Sequence, residues 1–135
     1  MYKNILVPVV LGDGQDNKKS LEAARLLADA DADVILLHVR EPIPAFVAAE
    51  IPEDVLAATQ REFQEDIERA AAEYPGAKPV LISGHAGRGI VEYADANNID
   101  CIILASHRPG LQNLLLGSTA NRVVHHATCS VHVIR

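Results

Sequence analysis

Five short aliphatic runs, Asn4 to Val9, Val34 to Val39, Pro79 to Ser83, Cys101 to Ser106 and Ser130 to Ile134, recur along the chain with more polar stretches between them. Each is too short for a helix and too continuous for a half-exposed strand, so each predicts a strand buried on both faces. Between the runs the period changes. Ser20 to Ala30 carries Leu21, Ala24, Leu27 and Ala28 on one side, and Pro52 to Tyr74 sets Leu56, Phe63, Ile67, Ala70 and Tyr74 at spacings of a helical face. Gly87 to Asn97 gathers Ile90, Val91 and Ala94, and Ser118 to Ala127 gathers Ala120, Val123, Val124 and Ala127. Strict alternation of strand and helix predicts an α/β fold: an open five-stranded parallel sheet with right-handed crossovers and helices on both faces.

Turn chemistry supports these joins. Gly76 and Pro79 stop the second helix, and Asn97-Asn98 ends the third before Asp100 leads into the fourth strand. Glu41 to Pro52, with prolines at 42, 44 and 52, is too long and Pro-rich for regular structure and predicts a mobile flap. No repeat or linker interrupts the pattern, so residues 1–135 read as one domain.

Composition narrows the class. Apolar residues make up 49% of the 135 positions but aromatic ones only 4%, as expected of an Ala, Val, Ile and Leu core. A net charge of −6, with 12 scattered basic residues, argues against nucleic acid and anionic membranes as partners. No apolar run reaches a membrane span and no signal-peptide pattern opens the chain, which reads as cytoplasmic. Cys101 and Cys129 then read as two small core thiols in a reducing compartment rather than a redox pair.

The chemistry concentrates between Cys101 and the fourth helix. A buried strand ends in Ala105-Ser106-His107-Arg108-Pro109-Gly110, and Gly117-Ser118-Thr119 opens a helix seven residues later. Together they offer two anion-receptive backbone segments, with hydroxyls from Ser118 and Thr119 and positive charge from His107 and Arg108. In an open parallel sheet the ligand lies beyond the carboxyl ends of the strands, where the strand order reverses. If the order is 3-2-1-4-5, the loops after Val9 and Ala105 form the walls of that crevice. A plainer reading makes Arg108 a solvated loop cation and Ser118 an ordinary residue near a helix cap.

Other motifs carry less. Gly84-His85-Ala86-Gly87-Arg88-Gly89 opens a helix after a strand but lacks an acidic ribose partner, so a tight turn explains its glycines. Asp29, Asp31 and Asp33 begin like a calcium loop, but Val34 and Arg40 stand where its Gly and Glu belong. His125 and His126 diverge by about 100° on a helix, which disfavours chelation and suits the helix's negative end. His38 and His132 fall within strands, which leaves His107 as the histidine placed to touch a ligand. No nucleophile, base and orienting residue form a recognisable hydrolytic motif.

Asn4-Ile5-Leu6-Val7-Pro8-Val9, Val34-Ile35-Leu36-Leu37-His38-Val39, Ile99 to His107, Leu115-Leu116-Gly117-Ser118 and Cys129 to Ile134 together resemble the universal stress protein family over nearly the whole chain. The resemblance implies strand order 3-2-1-4-5 in an adenine nucleotide alpha hydrolase-like (HUP) fold and a homodimer through the last strand. In one branch it implies ATP or AMP as ligand, with Mg accompanying ATP. It places the nucleotide against Pro8, Val9, Val10, Val39, Ala105, His107, Arg108, Gly110, Gly117, Ser118 and Thr119. The chain departs from that branch in two ways. Ala105 and Arg108 replace the first two glycines of a Gly-x-x-Gly, nine-residue, Gly-Ser/Thr motif, with eight residues before Gly117 and Gly110 as the substitute flexible position; the segment resembles an Ala-Ser-His-Arg-Pro subgroup. Val10 replaces an Asp that contacts the nucleoside, a loss of about 1 kcal/mol or more unless Asp13 bends back to serve. Three roles follow: a nucleotide-binding sensor or regulator, a nucleotide-free homodimeric interaction module, or an enzyme with weak ATP hydrolysis or self-phosphorylation at Ser106, Ser118 or Thr119.

Overall fold

The computed structural model describes residues 1–12, 17–106 and 116–135. Its strands are β1 (Tyr2–Pro8), β2 (Ala28–Arg40), β3 (Lys78–Ser83), β4 (Cys101–Ala105) and β5 (Ser130–Ile134). Its helices are α1 (Lys18–Leu27), α2 (Ala45–Ala48), α3 (Glu53–Ala72), α4 (Ala86–Ala96) and α5 (Ser118–His126). The sheet order is β3-β2-β1-β4-β5 and every pairing is parallel.

The period of two in the strands explains why their apolar runs are continuous. Ile5, Val7, Leu36 and Ile103 point to one face, where Leu21 and Ala24 of α1 and Ile67 and Ala71 of α3 cover them. Leu6, Leu37, Ile102 and Leu104 point to the other, against Ile90 and Ala94 of α4 and Ala120 and Val123 of α5. Both faces of the central strands are therefore lost to water, and a polar residue at any of these positions would be buried without a partner.

The fourth strand enters through two backbone signals. Asn98 takes a left-handed conformation, φ 54°, and the Ile99 N–H donates to the Ala94 carbonyl at 3.1 Å, which closes α4 as a Schellman turn. The Asp100 carboxylate then accepts from the N–H groups of Lys3 (2.9 Å) and Asn4 (3.0 Å), and the Asp100 N–H donates to Asn4 O. These bonds fix the start of β4 beside the start of β1.

Four expectations need correction. The edge strands β3 and β5 are not buried on both faces: neither has a fully buried residue, and Ser130 and His132 are exposed, because the core is centred on β1, β2 and β4. The first helix ends at Leu27, and Ala28 to Ala30 begin β2 instead: Ala-Asp alternation through Asp33 has the strand's period, and the β1 register shifts between Tyr2 and Asn4 to admit the extra length. Asp29, Asp31 and Asp33 thus lie on a strand. The flap is not wholly irregular, because Pro44 presets φ near helical values and starts α2, with Val47 and Ala48 N–H groups donating to its carbonyl. Val124, expected in the core, is 41% exposed. Among the described residues no helix is long and apolar enough to cross a membrane.

The two cysteines sit on opposite faces of the sheet, Cys101 in the layer beneath α1 and α3 and Cys129 against the α4 and α5 layer. Burial, with the neighbouring Cys129 and Asp100 charges adding to it, pushes the Cys101 thiol up to about 11. Burial also raises Cys129. Neither is poised as a thiolate at neutral pH, in keeping with core thiols.

Candidate functional site

The carboxyl ends of β1, β2 and β4 meet where the connections part. α1 follows β1 onto one face of the sheet, and α5 follows β4 onto the other. Adjacent strands therefore send their chains in opposite directions and leave a crevice between them.

Its floor is backbone. The Val9 N–H donates to Leu37 O at 2.9 Å, and the Val9 carbonyl accepts from Nδ1 of His38 at 3.0 Å. A strand residue directs its N–H and C=O to one side and the next residue to the other. Leu37 O faces β1, whereas Arg40 O accepts from Gly84 beyond β3 at 2.9 Å. By that alternation Val39 turns its N–H and C=O toward β1, at a level where β1 has ended and the Val9 carbonyl is already bonded to His38. The His38 ring is held by Phe63 of α3, stacked at 5.8 Å between centroids and 14° between planes, and the Arg40 guanidinium lies 4.9 Å from the centroid of the Phe63 ring. On the other face, the Val39 side chain packs on α4 so closely that a Cβ at Gly89 would lie 3.1 Å from its Cγ1.

One wall begins at Val10, whose side chain is 53% exposed. Its backbone is engaged on both edges: the N–H donates to Asn17 Oδ1 at 3.2 Å, and Asn17 Nδ2 donates to its carbonyl at 3.0 Å. Asn17 stands where a helix cap is expected, yet its side chain makes no capping bond to α1 and clasps the loop instead. Sequence reasoning missed this residue. An Asn immediately before a helical pattern was the available signal, but it would have suggested a cap. Asp13 lies outside the described residues.

The opposite wall is the junction of β4 and α5. Ser106 is buried, with its N–H on Ile134 O (2.8 Å) and its carbonyl accepting from the Gly117 N–H (2.7 Å). Ala105 before it is exposed. Gly117 has an ordinary φ of −62°, and a Cβ there would lie 3.4 Å from Ser106 O, so any demand for glycine comes from close approach rather than left-handed backbone. The first bond of α5 runs from Asn121 N–H to Gly117 O, which leaves the N–H groups of Ser118, Thr119 and Ala120 without intrahelical acceptors. His107, Arg108 and Gly110 lie outside the described residues.

Beside this junction a groove of about 400 Å³ opens between the start of α4 and the length of α5. Glu41, His85, Ser118, Thr119, Arg122 and His125 are among the residues lining it, as is His126. Of the residues expected from the sequence it contains Ser118 and Thr119; Pro8, Val9, Val10, Val39, Ala105 and Gly117 stand at the strand ends and do not line it. Sequence reasoning passed over His85 and Arg122. The turn reading of Gly84 to Gly89 explains only Gly84, at φ 146°. Gly87 is small for another reason: a Cβ there would lie 2.7 Å from Cδ of Arg122. Among the described residues no group of three or more His, Cys, Asp or Glu side chains is placed to hold a metal ion.

Comparison with known proteins agrees with the fold. The universal stress protein family profile matches residues 1–135. Universal stress protein A homolog 2 of Coxiella burnetii is 34% identical over 141 residues, covering 99% of this chain and 95% of that one. The structure of universal stress protein UspA from Lactobacillus plantarum is similar with a TM-score of 0.69 and 29% identity, covering 99% and 98% of the two chains. A universal stress protein family protein from Arabidopsis thaliana with AMP bound shares the fold at a TM-score of 0.66 and 21% identity, over 98% and 90%.

The Asn17 clasp yields a direct expectation. Asn17→Ala should destabilise the protein by about 0.5–1.5 kcal/mol and speed amide exchange at Val10, whereas Asn17→Asp, which keeps the acceptor for the Val10 N–H, should lose less. Urea unfolding with exchange measured by NMR checks both. Unchanged exchange at Val10 in Asn17→Ala would show that the clasp does not order the loop.

Proposed function

The chain belongs to the universal stress protein family, and from that premise we propose that it is a cytoplasmic adenine-nucleotide-binding regulator, taking ATP or AMP at the carboxyl ends of β1, β2 and β4. The observation that carries this reading is the parting of α1 and α5 to opposite faces from neighbouring strands. Pro8, Val9 and Val10 line the nucleoside end, and the Val39 backbone edge supplies a donor and an acceptor of the kind an adenine edge requires. Ala105, Gly117, Ser118 and Thr119 receive the phosphates with His107, Arg108 and Gly110, and Mg accompanies ATP. The AMP held by the Arabidopsis relative supports the choice of ligand. Occupancy would be read out through residues 41–52, which follow directly from β2 and carry Phe46 at 77% exposure.

A second reading, a nucleotide-free interaction module, draws on one feature: Val10 offers no side-chain acceptor at the nucleoside wall. The two readings separate on Val10→Asp. That substitution should tighten AMP binding about fivefold or more, the equivalent of one added hydrogen bond of roughly 1 kcal/mol. Calorimetry on both proteins decides it, and no binding in either would favour the interaction module.

In either role we expect a homodimer through β5. Because Ile134 O bonds inward to Ser106, alternation turns the Val131 and Val133 backbones to the open edge. An apolar edge of this kind is a site for strand pairing, and a two-fold copy is a self-complementary partner for it. Val133→Pro removes an outward N–H without touching the internal ladder, so it should convert dimer to monomer in sedimentation while leaving the fold intact. A wild-type monomer at micromolar concentration would contradict the dimer.

A further inference from the structure

The groove between α4 and α5 does not share the acidic excess of the chain as a whole. The protein carries a net charge of −6, yet the groove is lined by Arg122, His85, His125 and His126 against the single carboxylate of Glu41. Arg122 is set there by packing. Gly87 on α4 has no side chain, and the Arg122 stem occupies the space its Cβ would take, with Cδ 2.7 Å and Cβ 3.1 Å from that position. Laying the stem across a glycine fixes the side chain's path while its charged end remains in the groove. Among the described residues the guanidinium has no hydrogen bond or ion pair. His85, the residue preceding α4, accepts the Arg88 N–H at its Nδ1 through a long 3.4 Å contact. When neutral it therefore carries its proton on Nε2 and is a donor there. The same groove includes Ser118 and Thr119 at the start of α5, so it continues from the junction assigned above to phosphate.

We propose that this groove is an oligophosphate subsite: Arg122, with His85 as second donor, binds the distal phosphates of a nucleotide whose base sits at the strand ends. The proposal rests on the nucleotide-binding reading for the base, but the groove itself recognises only the phosphate chain. It makes the protein selective for ATP over AMP, and the selectivity comes from residues outside the β4–α5 phosphate loop. A planar, permanently charged guanidinium suits non-bridging phosphate oxygens better than a neutral donor does.

Calorimetry on the full chain with sodium tripolyphosphate, ATP, AMP and adenosine tests the subsite separately from the base site. The expected result is that tripolyphosphate binds alone and that ATP binds at least tenfold more tightly than AMP. Arg122→Gln should weaken ATP and tripolyphosphate about tenfold and leave AMP and adenosine unchanged. If Arg122→Gln fails to fold, as judged by its thermal melt, His85→Ala should show the same selective loss to a smaller degree. Equal affinity for ATP and AMP, or an equal loss of ATP and adenosine in the variants, overturns the subsite. Binding of tripolyphosphate without AMP or adenosine keeps the groove and discards the base site. Failure of all four ligands discards both.

Discussion

Burial of β1 and β4 on both faces is the constraint on which the rest of the structure depends. These strands pair with two parallel neighbours and pack under helices on either side, so the only exit for the chain at their carboxyl ends is up and over one face. β1 exits toward α1 and β4 toward α5. The space they vacate cannot be filled by a helix from either layer, and it is bounded by backbone groups at the ends of the ladder. A polar crevice at that point is a product of the topology rather than of any one side chain.

The details around the crevice refine that backbone. His38 occupies the Val9 carbonyl and is itself held by Phe63, which ties α3 to the crevice floor. Asn17 clasps the Val10 backbone and Ser106 clasps Gly117, so each wall is fastened at its root. The crevice thus has little need of ordered side chains on its own surface. The proposed nucleotide would meet peptide groups and a helix start there, which lessens the consequence of finding Val10 and Ala105 where more specific residues are expected.

Much of this was legible from the chain. The central strands β1, β2 and β4 could be read because their buried stretches have no polar interruptions, the edge strands β3 and β5 from short aliphatic runs although neither has a fully buried residue, and α3, α4 and α5 because their apolar faces repeat with a helical period. Strand order was not legible from periodicity, since nothing local in β1 tells it to pair with both β2 and β4; that came from the family resemblance. The early start of β2 was hidden because Ala28 and Ala30 fit a helix as well as a strand, and only pairing to Tyr2 decides between them. α2 was hidden because proline signals both irregular chain and a helix start. At the site, Ser118 and Thr119 could be named from their position at a helix start, but Asn17, His85 and Arg122 depend on contacts across the fold. Arg122 in particular is a surface-type residue on α5 until Gly87 is seen beneath it.

The central claim is that an adenine nucleotide lies across the ends of β1, β2 and β4. Titrating the isotopically labelled protein with AMP and following backbone amide shifts by NMR tests it most directly. The account predicts saturable shifts at Val39, Val10 and the Gly117 to Thr119 amides, with β3 and the far ends of the strands near Asp100 unmoved. An AMP titration that leaves Val39 and Ser118 unshifted while perturbing another surface would contradict it.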